Sequence, residues 1–508
     1  MSDFAETIAG AYAVDGAAIA LGRGVHDGEV DPGAVVQASL AMMNRHGLIA
    51  GATGTGKTKT AQGLAEQLSA AGVPVLLADV KGDLSGLAAP GEAGGGAEKR
   101  AKELGMPFAP AGVPVEYLSI GGIGPGVPVR ATVSDFGPQL LAKVLGANET
   151  QEQSLQLVFH YADTKGLPLL DLSDLRALLT YLDSDEGKPE LEGIGGLSSA
   201  TVGVLLRSLV GLETGGGTEF FGEPQLDVAD LLRVGEDGRG VVSIVELPAV
   251  QDKPVLWSTV LMWLVAELFE SLPEAGDLPK PKLIVFLDEA HLLFHDASEA
   301  FTSSIEQTVR LIRSKGVGVF FITQTPKDLP SPVLAQLGNR VQHALRAFTP
   351  EDAKALKATV STFPKSDIYD LEELLPKLGT GEAIVTILDD NGVPTPVVHT
   401  RLPAPQSRMG PADDVDGAAK ASALYARYGE RIDAQSAREI LAERLAAAAP
   451  EPVAAAPAKA EPAPRAPAPK KDHDSPTDVI TDFLGSRQGK ALQKQVVRGV
   501  FGMLRKKL

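Results

Sequence analysis

Cysteine is absent from the 508-residue chain, which excludes disulfides, thiolate nucleophiles and cysteine-ligated zinc or iron–sulfur centres. Aromatic residues reach only 5%. Positive charge is also scarce: 47 Lys and Arg stand against 65 Asp and Glu, a formal charge of −18. A surface coated for nucleic acid is therefore not expected, while a local basic channel stays open. Long apolar runs are missing as well. The longest, Val255 to Phe269, is interrupted by Glu267 and falls short of the roughly 20 residues a bilayer span needs. It reads as a buried core helix, and no stable membrane insertion is expected. The N-terminus, MSDFAETIAG, has no basic stretch leading into an apolar one, so no secretory signal is read and the cytoplasm is the expected location. No repeat of 20–50 residues is visible, against a solenoid or propeller. What is present, 44% hydrophobic residues and 54 glycines, is the composition of a globular α/β protein.

Strand and helix patterns alternate along the chain. Apolar runs bounded by Gly, Pro or Asp occur at Val73–Ala78, Val241–Val245, Leu283–Leu287, Val317–Thr323 and Ala383–Leu388. Runs apolar on both faces predict parallel strands covered by helices on both sides. The organisation expected is a short N-terminal β segment over 1–40, a core over 41–97 and 240–402, a mainly helical insertion over 98–239 and a helical part over 403–445. An Ala/Pro-rich stretch over 446–472 reads as a flexible linker. A tail over 473–508 follows, with Phe483, Val496, Val500, Phe501 and Leu504 suited to a basic amphipathic helix. From Arg465 to the end, ten Lys and Arg face four Asp and Glu.

Gly51-Ala52-Thr53-Gly54-Thr55-Gly56-Lys57-Thr58, followed by Lys59, fits the Walker A phosphate loop. Leu48-Ile49-Ala50 precedes it as a strand end, and Ala61, Leu64 and Leu68 follow at helical spacing. In such a loop backbone N–H groups converge on phosphate, Lys57 reaches the β and γ oxygens of ATP, and Thr58 offers a hydroxyl to Mg²⁺. Leu283 to Leu287 leads into Asp288 and Glu289, the pattern of a Walker B strand. Asp288 is placed to hold Mg²⁺ through water, and Glu289 to act as general base on an attacking water. That second carboxylate favours hydrolysis over kinase or G-protein chemistry. His291 completes a DEAH string and reads more simply as a satisfied loop histidine. Gln324, ending the Val317 strand, either senses the γ-phosphate or is an ordinary strand-ending amide. Arg310 and Arg313 fall off the apolar face of the Glu299–Ser314 helix, either as solvated arginines, with Glu306 and Arg310 a routine pair, or as fingers for a neighbour's nucleotide. Asp79, Lys81 and Asp83 either line the nucleotide site or merely accompany a turn at Gly82.

The strings NRHGLIAGATGTGKT, ADVKGDLSGLA, LIVFLDEAHLLF and VRLIRSKGVGVFFITQTPKDLP resemble the bacterial HerA-like branch of the FtsK–HerA ATPases, over about Met43 to Thr400. The resemblance implies a RecA-like P-loop NTPase of the ASCE type, assembled as a homo-hexamer, hydrolysing ATP with Mg²⁺ at subunit interfaces and moving DNA through a central pore. It implies Lys57 and Thr58 as the Walker A pair, Asp288 and Glu289 as the Walker B pair, Gln324 as sensor, and Arg310 or Arg313 as the finger acting in trans. Fifty residues precede Gly51, and they are expected to be too few for the β-barrel through which archaeal members dock nucleases.

Two functions remain open on these grounds: a DNA-translocating, helicase-like ATPase, or a P-loop ATPase that drives protein movement or secretion-type assembly. A two-domain DEAH helicase is not expected, because no second RecA-like half with its arginine cluster follows Thr400.

Overall fold

The computed structural model describes residues 2–294 and 299–448. The tail over 473–508, and the expected linker beyond residue 448, lie outside the described residues. A twelve-stranded sheet runs through the described residues in the order β2-β1-β12-β11-β10-β3-β9-β8-β4-β7-β5-β6. The strands in chain order are β1 (Ala18–His26), β2 (Glu29–Ser39), β3 (Gly47–Ala50), β4 (Val75–Asp79), β5 (Val115–Ile120) and β6 (Val127–Val129). They continue with β7 (Val242–Glu246), β8 (Leu283–Leu287), β9 (Val317–Thr323), β10 (Asn339–Gln342), β11 (Glu382–Thr386) and β12 (Val398–Arg401).

From β10 to β6 every pairing is parallel. Strands β3, β4, β7, β8 and β9 are buried at every residue, as helices on both faces require. After β3 the chain enters the Lys57–Ala70 helix, which closes as Val73 N–H donates to the Leu68 carbonyl at 2.9 Å. The chain then turns directly into β4. On the order of the strands, β9 lies between the strand leading into the phosphate loop and β8, the strand ending in Asp288.

Two sequence expectations need correction. The run at Ala383–Leu388 becomes β11, which pairs antiparallel with both β10 and β12. Its apolar pattern records burial on both faces and carries no direction. The direction comes from the turn after it, where Asp389 N–H donates to the Val393 carbonyl at 2.9 Å and returns the chain toward β12. Secondly, the segment 98–239 contributes β5 and β6 to the central sheet alongside its helices. The sheet thus extends across the boundary expected at residue 97. The first 40 residues form a helix, Asp3–Ala11, and the β1–β2 hairpin, which joins the same sheet through β1 and β12.

The Pro254–Ser271 helix is, among the described residues, long and apolar enough to cross a membrane by length and composition. Here its Leu256–Leu264 stretch is buried inside the fold. Trp263 packs edge-on against Phe220, which with Phe136 and Phe221 forms an aromatic cluster. The helices of segment 98–239 are thereby cemented to the core. Truncating Trp263 to Ala would cost about 3–5 kcal/mol.

Glu246 ends β7 opposite Asp79 of β4. It is buried, one carboxylate oxygen has no hydrogen-bond partner, and burial, with the charge of Asp79, pushes it up to about 8. A carboxyl raised on folding favours the folded state fully below its unfolded value near 4.5, and that contribution is lost as pH rises toward about 8. Glu246→Gln should therefore flatten the fall of stability between about pH 5 and 8, and should raise the denaturation midpoint at pH 8 by the equivalent of roughly 1–3 kcal/mol. Urea unfolding at pH 5, 6.5 and 8 checks this.

Candidate active site

Because β3, β9, β8 and β4 are parallel, their C-terminal ends share one edge of the sheet, the edge where open α/β sheets place their ligands. The phosphate loop follows β3, Gln324 follows β9, Asp288 and Glu289 follow β8, and Asp79 ends β4.

The loop itself divides into two parts. Gly51 N–H donates to the Thr323 carbonyl at 3.2 Å and Ala52 N–H to the Ala344 carbonyl at 2.8 Å, which suspends the loop between β9 and the end of β10. These two donors are thus taken by the protein and position the loop. The backbone N–H groups of Thr53, Gly54, Gly56, Lys57, Thr58 and Lys59 meet no other protein acceptor among the described residues, leaving them free for an anion. Gly56, at φ 114°, turns the chain into the Lys57–Ala70 helix. Gly51, at φ 152°, has no room for a side chain: a Cβ there would lie 2.5 Å from the Cβ of His343. His343 is itself buried, driven down to about 4 by burial, with Nε2 3.0 Å from the Thr60 hydroxyl. No sequence signal had pointed to it.

Lys57 is buried and folds back so that Nζ donates to the Gly51 carbonyl at 2.7 Å and the Ala52 carbonyl at 3.3 Å. Burial holds its ammonium below the ordinary value, with Glu289 and Asp288 pulling the other way. Lys59 instead reaches Gln62 Oε1 at 3.1 Å. Thr58 sits half-buried in the first helical turn.

Asp288 is buried, and its Oδ2 has no hydrogen-bond partner. Burial, with Glu289 beside it, pushes its carboxyl up to about 7. A buried carboxylate oxygen with nothing to satisfy it fits a hydrated dication, so Asp288 and Thr58 are the residues present that suit Mg²⁺. Glu289 has φ 46°, one of three non-glycine residues in positive φ among the described residues, and strain of this kind gathers at functional sites. Burial pushes Glu289 up, but the hydrogen bond and charge of Lys81 outweigh it and hold the carboxyl below its usual range. It can therefore accept a proton as a carboxylate. His291 is not remote from this chemistry: its Nδ1 lies 3.3 Å from Glu289 Oε2, without hydrogen-bond geometry.

The group after β4 separates into roles. Asp79 is fully buried and accepts from the N–H groups of Lys81 (3.2 Å), Gly82 (2.8 Å) and Leu84 (2.8 Å), so it builds the turn. Lys81 leaves that turn toward Glu289. Gln324 is exposed at the end of β9, between the loop and the acid pair.

Arg310 and Arg313 are not in this assembly. They end the Glu299–Ile312 helix and begin the turn before β9, at the opposite edge of the sheet. With Arg45, His46 and Arg340 they line a cleft of about 540 Å³. Seven residues of β9 separate the edges by about 20 Å at ~3.3 Å per residue, out of reach of their own phosphate loop.

A parallel sheet with a helix-capped glycine loop on one strand, a paired acid end two strands away and a strand between them defines a RecA-like P-loop NTPase fold. Residues 26–507 match the family described as helicase HerA-like C-terminal, and the chain belongs to that family. Among individual relatives, the probable helicase MJECL08 of Methanocaldococcus jannaschii is 28% identical over 154 residues, 28% of each chain. The DNA double-strand break repair helicase HerA of Sulfurisphaera tokodaii is 25% identical over 162 residues, 31% of this chain and 30% of that protein. The matches thus span under a third of those relatives' length. Of solved structures, plasmid coupling protein TrwB with the ATP analogue ADPNP superposes at a TM-score of 0.52 and 15% identity, covering 76% of this chain and 94% of that one. TrwB with ADP and Mg²⁺ does so at 0.51 and 15%, covering 77% and 96%. At that identity the likeness concerns the fold.

Gly51→Ala should weaken binding of a fluorescent ATP analogue by at least about tenfold, since the methyl would push the loop off His343. Gly63→Ala, in open space on the adjoining helix, should bind normally and melt no lower. Titration and thermal melts of both variants check this.

Proposed function

We propose that this chain is an ATP-hydrolysing ring motor, a HerA-like DNA translocase or helicase, working as a homo-hexamer with Mg²⁺. The observation that carries this reading is the split of the site across the sheet. Phosphate loop, acid pair and Gln324 occupy one edge, and Arg310 and Arg313 occupy the other. A finger on the far edge can serve only another subunit's nucleotide. Such a head-to-tail contact closes into a ring when the rotation allows, and the relatives named as helicases support a DNA substrate.

In the chemistry proposed, the free N–H groups of Thr53, Gly54, Gly56, Lys57, Thr58 and Lys59 hold the phosphates. Lys57 moves from the Gly51 and Ala52 carbonyls to the β and γ oxygens. Thr58 and Asp288 are the residues that would hold Mg²⁺, which when bound would supply positive charge against the phosphates. Glu289 takes a proton from a water whose oxygen attacks the γ-phosphorus. The bond from that phosphorus to the bridging oxygen breaks, and ADP and phosphate leave. Gln324 orients the water or registers the γ-phosphate. Arg310 or Arg313 of a neighbour offsets the charge spreading over the γ oxygens.

Glu289→Gln should lower steady-state ATP turnover by roughly 10²–10⁴-fold while leaving nucleotide binding intact. DNA should stimulate the unmodified protein, and the stimulation should fall steeply as salt rises. Turnover that depends on Glu289 but ignores double- and single-stranded DNA at low and high salt would shift the reading to a motor acting on protein, as in secretion-type assembly. For the finger, Lys57→Ala and Arg313→Ala proteins should each be inactive alone, and mixing them should restore part of the turnover; the same pairing with Arg310→Ala tells which arginine acts. Mixtures that stay silent with both arginine variants would rule out action in trans.

A further inference from the structure

The side chain of Lys81, from the turn after β4, reaches the acid pair. Its Nζ forms an ion pair with Oε1 of Glu289, and the contact is one-sided. The other oxygen, Oε2, is buried and has no hydrogen-bond partner, although His291 Nδ1 lies 3.3 Å away without hydrogen-bond geometry. The two strands make this meeting a matter of register: β4 and β8 are neighbours, with Ala78 opposite Leu287. Asp79 thus stands level with Asp288, and Lys81 leaves the next turn beside Glu289. The turn does not need the lysine side chain, because the three N–H groups given to Asp79 already hold it. Nor is this an ordinary surface pair, since the Glu289 side chain is 8% exposed against 45% for Lys81. A long, accessible cation is stretched inward to a buried carboxylate on a strained backbone.

We propose that Lys81 is a positioning residue for Glu289: by engaging Oε1 it fixes the carboxylate's rotation and leaves Oε2 as the oxygen that takes the proton of the attacking water. The proposal rests on the reading of Glu289 as general base. Without Lys81, Glu289 has a like charge beside it in Asp288 and nothing on Oε1 to hold it, so the carboxylate turns away and the water loses its acceptor. The energetic demand is on orientation, where small misplacements of a catalytic group cost large factors in rate. Lys81 takes no proton and contacts no phosphate in this scheme.

The test compares Lys81→Met, Lys81→Gln and Lys81→Arg in the full chain, with Glu289→Gln alongside. Lys81→Met and Lys81→Gln should each lower kcat by about 10–100-fold, with KM for ATP and affinity for a non-hydrolysable analogue changed less than about threefold and thermal midpoints unmoved. Lys81→Arg, which can still reach Oε1, should recover most of kcat. Three results would overturn the proposal: kcat unchanged or raised in Lys81→Met and Lys81→Gln; analogue affinity weakened more than about tenfold with kcat kept, which would make Lys81 a phosphate ligand; or Lys81→Arg as slow as Lys81→Met. Glu289→Gln separates the two readings. If it leaves turnover intact, the general-base assignment falls; if it abolishes turnover while the Lys81 variants remain fast, only the positioning role does.

Discussion

Charge balance in a dry place is the constraint around which this protein is arranged. Asp288 and Glu289 emerge from a strand with no exposed residue, and Lys57 and Lys81 supply two positive charges in their field. An uncompensated ion at such a position costs several kcal/mol, and two adjacent like charges cost more. Each cation has an internal partner: Lys57 rests on loop carbonyls, and Lys81 on Glu289. Asp288 keeps one oxygen unsatisfied. The site is assembled in advance, with its open valences where a cation and an anion would close them, which is the economy of preorganisation.

Much of the remaining structure keeps that edge in place. The phosphate loop hangs from β9 and the end of β10 by two backbone bonds, and Gly381 N–H donates to the Thr55 carbonyl at 3.0 Å from the turn before β11. The helix behind the loop is gripped from a distant part of the chain. Glu66 accepts from the N–H groups of Gln406 (2.9 Å) and Ser407 (2.8 Å), and Gln62 donates to the Ser407 hydroxyl at 2.7 Å. The segment after β12 is thus a strap on the nucleotide helix. Beyond it, Ser436 and the N–H of Arg438 bind Asp174, and the Tyr428 carbonyl accepts from Arg130 at 2.9 Å. The segment after residue 403 thus ties the 98–239 segment to the helix behind the phosphate loop.

The two edges of the sheet differ in their charged groups. Arg45, Arg310, Arg313 and Arg340 gather at the N-terminal edge of the parallel strands, whereas Asp79, Asp288, Glu289 and Glu246 line the C-terminal edge together with Lys57 and Lys81. Arg340 is committed locally, to the Thr362 hydroxyl at 2.8 Å and the Leu337 carbonyl at 3.2 Å. Burial, and then the neighbouring Arg45, lowers the Arg313 guanidinium.

The phosphate loop and the acid pair were legible in the residues alone, because each is a contiguous string whose chemistry dictates its letters: glycines where backbone must approach phosphate, an apolar strand ending in two carboxylates. The runs that became β4, β7, β8 and β9 were legible for a similar reason, since burial on both faces leaves only apolar side chains. Direction and adjacency were not. The antiparallel course of β11 comes from the turn after it, and β5 and β6 enter the sheet from a stretch whose helices dominate its pattern. Nor could a string reveal that Gly51 and Ala52 spend their N–H groups on the sheet, that Asp79 builds a turn while Lys81, two residues on, reaches the acid pair, or that His343 stands behind the loop. The Asp79 turn is local, but the other contacts depend on residues roughly 200 to 300 positions apart meeting at one sheet edge, and strand order, which no local pattern encodes, decides who meets.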